Sequence, residues 1–358
     1  MAEFLDTRNS ALTPVEQPRP AEEQALRLAT AYQASRALHV AIRMGVPDLL
    51  ADGSRTAEEL ARDTGSHGPS LRRLLRSLAA HGVFSETTEG RFTLGPLGVP
   101  LRKDAPGSVQ ALALMWGDED YWRTWAELEH CVRTGRTAAE HLFGSVDAFE
   151  RYASDARFGA IFNAGMTVLS ATTAAAVVSS YDFSRARRVV DVGGGEGRLL
   201  AAILQAWPAA RGVLLDLPNV VAGAPRLLAE AGVADRCEVV GGDMFAGVPR
   251  GGDLYILSRV IHSFPEDRAV AILRACRGVM GADARLLLVE YVLPDHVEGQ
   301  AGSSVQARLL MDLTMLVRTG GRQFTDAEYR IFLQGAGLRV ERILPTGAAV
   351  SLVEAAPA

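Results

Sequence analysis

Five short apolar runs alternate with stretches long enough to be helices: Arg188–Val192, Gly212–Leu217, Cys237–Gly241, Leu254–Ser258 and Ala284–Val292. No other feature of the chain limits its fold as strongly. Strands separated by helices build a parallel sheet with helices packed on it. The expected fold class is therefore α/β, a doubly wound, mostly parallel sheet. Pro218 and Pro265 fall in the first turn of two of the intervening helices. A further helix is expected near Val305–Val317, and Thr325-Asp-Ala-Glu328 makes a capping box for the next, which Gly337 closes. Leu338–Leu344 and Val350–Val353, joined by a turn at Pro345–Gly347, predict an antiparallel pair at the sheet edge.

Such a sheet binds its ligand outside the carboxyl ends of its strands, where the strand order reverses. Asp191-Val-Gly-Gly-Gly-Glu-Gly197 sits at such an end. Its spacing, Gly193-x-Gly195-x-Gly197, is one residue short of a dinucleotide fingerprint, and Asp191 and Glu196 are poor neighbours for a diphosphate. They suit a ligand with a cationic amine and no phosphate, such as S-adenosylmethionine. Asp191 is close enough to the loop to help with its ammonium. Asp216 ends the second strand, 21 residues after Gly195, where a carboxylate can take ribose hydroxyls. Gly242-Asp-Met-Phe245 follows the third strand, where Asp243 can take the adenine amino group and Met244 and Phe245 can sandwich the ring. A glycine loop alone is a weak signal. Acids at the ends of three successive strands make it a strong one.

The rest of the chain reads as three segments. Residues 1–20 are a polar, proline-bearing arm. Residues 21–105 begin with a helical segment, Glu22–Met44, whose apolar stripe (Ala25, Leu28, Ala29, Tyr32, Leu38, Ile42) suits a partner subunit. Helices from Thr56 and from Pro69, then a hairpin around Thr87–Gly90, give a winged-helix outline. Arg72, Arg73 and Arg76 on the second helix raise DNA binding, but the net charge of −5 and pI of about 5.9 favour a winged helix used for packing. Residues 106–180 are expected to be mostly helical, with Phe158–Met166 inside one helix, and residues 181–358 form the ligand-binding domain. Cys131, Cys237 and Cys276 are too few and too far apart for a disulfide framework or a zinc site. The histidines other than His262 show no metal-ligand spacing, so no metal is expected. MAEFLDTRNS does not read as a signal peptide, and no uninterrupted apolar run reaches ~18 residues, so a soluble cytoplasmic protein bound to no membrane is expected.

DVGGGEGRLL, LLDLPNVV, GGDMF, VIHSFPEDRAVAIL, LLLVEYVLP and MDLTML..TGGRQFT, in this order, resemble the caffeate-type small-molecule O-methyltransferases. The likeness is strongest to bacterial members that decorate antibiotics and aromatic polyketides, and it runs from about residue 25 to the end. It implies a class I methyltransferase fold behind an α-helical winged-helix dimerisation domain, a homodimer with intertwined N-terminal regions, and an aromatic acceptor rather than a nucleic acid. It implies that Ser170, Gly193, Gly195, Asp216, Gly242, Asp243, Met244, Phe245 and Ser258 hold S-adenosylmethionine and its product S-adenosylhomocysteine. It also implies that His262 is the general base, that Glu290 steadies it, and that Phe162, Met166, Met311 and Met315 face the acceptor. Two acids of the family pattern are replaced: Ser263 follows His262 where an aspartate is usual, and Gln323 stands for a glutamate.

Methyl transfer from a sulfonium to oxygen is one in-line displacement, so holding the acceptor in place is the main task of the protein, worth ~7–11 kcal/mol in favourable cases. A phenol titrates near ~10, so a base such as an imidazole, with its ordinary value near ~6.5, assists. The leading expectation is O-methylation of a phenolic secondary metabolite. The replaced acids leave open a second reading, the same cofactor with hydroxylation, decarboxylation, pericyclic chemistry or N- or C-methylation. A third, a DNA-binding regulator with a ligand domain, has no use for a base at a strand end.

Overall fold

A computed structural model describes residues 20–144, 148–297 and 302–358. The arm expected at residues 1–20 lies, apart from Pro20, outside the described residues.

The first unit comprises α1 (Ala21–Arg43), α2 (Val46–Leu49), β1 (Arg55–Thr56), α3 (Ala57–Thr64), α4 (Gly68–Ala79), β2 (Phe84–Glu86) and β3 (Arg91–Leu94). Thr56 caps α3 through a reciprocal box: its hydroxyl accepts from the Glu59 amide at 3.1 Å, and Glu59 accepts from the Thr56 amide at 2.7 Å. Leu71, Leu75 and Leu78, spaced for one helix face, bury that face of α4 against Leu60, Phe84 and Phe92. The three strands form an antiparallel sheet in the order β1-β3-β2. Two-residue β1 is too short to leave a pattern in the sequence. The winged-helix outline is present, and Arg72 and Arg76 both pair with Glu86 of β2, so the wing itself takes up two of the three arginines.

Six helices follow: α5 (Gln110–Gly117), α6 (Glu119–Ala126), α7 (Leu128–Thr134), α8 (Ala138–Phe143), α9 (Ala148–Ser154) and α10 (Ala156–Ser180). Among the described residues α10 is the one helix long and apolar enough to cross a membrane by length and composition. In the fold it packs on α5 and on α11 (Arg198–Ala206).

The large sheet is built from β4 (Arg188–Val192), β5 (Arg211–Asp216), β6 (Cys237–Gly241), β7 (Leu254–Ser258) and β8 (Arg285–Glu290), completed by β11 and β12 (Leu338–Pro345 and Ser351–Pro357). Between them lie α12 (Pro218–Val221), α13 (Ala224–Glu230), α14 (Glu266–Val279), β9 (Val292–Leu293), α15 (Ser303–Arg318), β10 (Phe324–Thr325) and α16 (Asp326–Gly335). The strand order is β11-β12-β8-β7-β4-β5-β6, parallel except for β12, which is antiparallel to both neighbours. The order reverses between β4 and β7, and the glycine loop leaves β4 there.

Three sequence expectations are corrected. The run Ala284–Val292 is two strands: β8 ends at Glu290, and after Tyr291 the chain turns so that Val292 and Leu293 pair with Phe324 and Thr325. The last strand is longer than its apolar stretch and lies inside the sheet. It is buried nearly throughout, and its Glu354 accepts from the Tyr181 hydroxyl at 2.8 Å and from Arg342. The antiparallel pair does lie at the sheet edge, with β11 outermost, and its Arg339, Glu341 and Arg342 tolerate water. Pro265 is the N-cap of α14, with an extended backbone, and not part of its first turn; Pro218 does open α12.

Candidate active site

Gly195 sits in the left-handed region at φ +63°, and an added Cβ there would meet nothing within 4 Å. The loop thus presents bare backbone to open space. It is pinned from below, because Asp216 at the end of β5 accepts from the Gly195 amide and the Leu217 amide, each at 2.7 Å. Burial pushes the Asp216 carboxyl up, against the pull of those two amides. Asp191, at the floor of the loop, is 1% exposed, and neither of its oxygens has a hydrogen-bond partner among the described residues. Burial, reinforced by the nearby charge of Asp216, pushes its carboxyl up to about 7. A buried carboxyl without a partner beside bare backbone fits a cationic ligand, as the ammonium of S-adenosylmethionine would supply.

The loop opens into a cavity of about 500 Å³. Every residue expected to hold the cofactor lines it: Ser170, Asp191, Gly193, Gly195, Asp216, Gly242, Asp243, Met244, Phe245 and Ser258. Asp243 accepts from the Phe245 amide at 2.9 Å, which fixes the turn after β6. The Phe245 ring is held edge-on by Phe264, with centroids 5.4 Å apart, and lies under the Arg268 guanidinium. A flat, π-faced wall beside an acid suits a purine.

His262 also lines the cavity, in a short 3₁₀ turn after β7, as do Phe162, Met166, Met311 and Met315. Glu290 stands behind it at the end of β8, fully buried, and its Oε2 accepts from His262 Nδ1. A carboxylate only accepts, so Nδ1 carries the proton and Nε2 keeps a lone pair for the cavity. The replaced acids leave this dyad without a second carboxylate. The Ser263 hydroxyl lies 3.9 Å from the Met315 sulfur. The buried Gln323 amide has no side-chain partner among the described residues, and its backbone amide donates to Asp312 at 2.7 Å. At Gly321 a Cβ would lie 1.9 Å from the His262 carbonyl oxygen, so only glycine lets this loop pack against the His262 turn. Among the described residues no three His, Cys, Asp or Glu side chains converge as a metal centre.

Residues 125–339 match the O-methyltransferase domain, and residues 26–103 match the O-methyltransferase dimerisation domain. The chain belongs to the O-methyltransferase family. It is 43% identical over 332 residues to a phenazine O-methyltransferase of Lysobacter antibioticus, covering 93% of this chain and 95% of that one. The solved structure of LaPhzM superposes with a TM-score of 0.90 at 42% identity, covering 95% and 100% of the two chains. An O-methyltransferase from neocarzinostatin biosynthesis, solved with S-adenosylmethionine and 2-hydroxy-5-methyl naphthoic acid, superposes with a TM-score of 0.76 at 34% identity, covering 90% and 96%. S-adenosylmethionine is the cofactor of this O-methyltransferase.

Its site holds residues that the motif reading missed. Arg259, between Ser258 and the His262 turn, is a non-glycine residue at positive φ (54°). Its buried guanidinium donates to Ser170 at 2.8 Å and to Thr173 at 3.1 Å, tying α10 to the end of β7. Strain of this kind is held only where the surroundings impose it and clusters at functional sites. Burial lowers the pKa of Arg259, against the pull of Tyr291, Glu290 and Asp191, and its charge in turn opposes the rise at Asp191. Asn163, Tyr291 and Arg318 are further cavity residues.

Proposed function

We propose that this O-methyltransferase methylates a phenolic hydroxyl of a flat aromatic secondary metabolite, with His262 as the base. The observation that carries the reading is the His262–Glu290 dyad facing a single cavity that joins the acid-lined glycine loop to an aromatic compartment. When bound, the cofactor supplies an activated methyl group on a sulfonium. Asp191, Asp216 and Asp243 hold its ammonium, ribose and adenine, and Ser170 and Ser258 add polar contacts. Phe162, Met166, Met311 and Met315 hold the acceptor ring so that its oxygen points at His262 Nε2. The base takes the phenolic proton, and Glu290 keeps the imidazole in the tautomer that can accept it. General bases contribute ~10²–10⁴-fold, and positioning supplies the larger share. The dimerisation-domain match and the exposed Leu26, Leu28 and Tyr32 of α1 support a homodimer. The biosynthetic roles in the relatives' names support a cytoplasmic enzyme.

Incubation with labelled S-adenosylmethionine and an extract of the producing organism, read by mass spectrometry, should show a phenol that gains one methylene. His262→Ala should slow that reaction by roughly 10²-fold with cofactor affinity retained. An alanine variant as fast as the parent would make His262 structural, and transfer to no acceptor at all would overturn the reading.

A further inference from the structure

At the end of the cavity beyond the base, two buried guanidiniums share one carboxylate among the described residues. Arg318, in the last turn of α15, is 2% exposed and lines the cavity. It pairs with Asp120 at 2.8 Å and donates to Thr124 at 3.1 Å and to the Tyr152 hydroxyl at 2.7 Å. Asp120 is already taken, because Arg151 grips both of its oxygens. Arg151 is itself largely buried, and its Nε has no partner among the described residues. Two guanidiniums thus share one carboxylate. Among the described residues, the neighbouring acids do not make up the difference: Asp118 is matched by Arg157 at 2.7 Å, and Glu119 is exposed. Tyr121, whose ring lies 3.7 Å under the Arg318 guanidinium, is neutral, its hydroxyl pushed up to about 12 by burial. Two buried cations facing one anion are costly, and guanidinium is the group best shaped to bind a further carboxylate.

The surroundings define the shape of what would complete the pair. Tyr152 packs on Phe162 at 4.7 Å and on Phe149 at 5.7 Å, and Phe149 packs on Phe264 at 5.2 Å. These rings wall the compartment from Arg318 to the His262 turn. Met315, whose sulfur approaches Ser263 next to the base, precedes Arg318 by about one helical turn, ~5 Å along α15. We infer that the acceptor is an aromatic acid: its hydroxyl faces His262 and a carboxylate on the far side of the ring system pairs with Arg318. This deepens the methyltransferase reading and rests on it.

Calorimetry on the S-adenosylhomocysteine-loaded dimer tests it with three probes: 6-hydroxy-2-naphthoate, its methyl ester and 2-naphthol. The acid should bind at least about tenfold tighter than the ester or the naphthol, and Arg318→Gln should reduce it to their level. Affinity for S-adenosylhomocysteine should stay within about twofold, which reports that the variant is folded. Equal binding of acid and ester by the parent protein would overturn the inference, as would a preference for the acid that survives in Arg318→Gln. So would failure of all three probes on protein that binds the cofactor product. If the ester and 2-naphthol are methylated without discrimination, the inference fails while the methyltransferase reading stands. Failure to bind S-adenosylhomocysteine at all would instead break the reading beneath it.

Discussion

Asp191 is held where a carboxylate is least stable, and replacing it should strengthen the fold while weakening the site. Its carboxyl titrates at about 7 in place of its ordinary 3.8. At 1.36 kcal/mol per pH unit, ionising it inside the fold costs on the order of 4 kcal/mol. The raised value fixes the sign. The native state holds this proton more tightly than the unfolded chain, so its contribution is present below about pH 4 and is lost as pH rises through about 7. Asp191→Asn removes the titration and keeps the shape. Without ligand, the variant should melt slightly higher than the parent protein at about pH 5, where the unfolded carboxyl is already ionised, and several degrees higher at about pH 8. Ligand binding should move the other way. A charge-assisted hydrogen bond to the cofactor ammonium is worth ~1.5–3 kcal/mol, so the asparagine should weaken S-adenosylmethionine binding by roughly 10–150-fold. The parent's affinity should also fall below about pH 7, as protons compete with the ligand for the carboxylate, and the variant's should stay flat. Scanning calorimetry and titration calorimetry at the two pH values decide the matter. A variant that melts like the parent at both, or that binds the cofactor equally well, refutes both the burial argument and the assigned role.

Asp216→Ala should weaken S-adenosylmethionine by more than about tenfold and loosen the glycine loop, because the carboxylate pins the Gly195 amide and is proposed to hold the ribose; equal affinity, or a preference for NAD, would sink the cofactor assignment. Glu290→Gln should slow transfer less than His262→Ala and leave cofactor affinity unchanged, since it alters only the tautomer and orientation of the imidazole; single-turnover rates for the two variants give the order. Light scattering at micromolar concentration should return twice 38.3 kDa, because an obligate interface of the kind α1 offers buries more than ~2,000 Å²; a monomer there would contradict it.

The alternation of strands and helices was written in residues 188–292, and so was the cofactor end of the site. Local periodicity determines a strand, and a doubly wound sheet necessarily brings the carboxyl ends of β4, β5 and β6 to one edge. Gly195, Asp216 and Asp243 could therefore be placed together before any contact was known. His262 and Glu290 were legible through family likeness, not periodicity, and the contact between them joins positions 28 apart in the chain. Other features had no local signal. The break at Tyr291, the insertion of β12 beside β8 and the left-handed backbone of Arg259 depend on which elements pack on which. The shared carboxylate of Arg151 and Arg318 is the clearest case. Nothing in the sequence around Asp120, Arg151 and Arg318, on α6, α9 and α15, says that they will be buried. Packing three helices over the acceptor compartment removes the water, and only then do two cations facing one anion become a statement about the substrate.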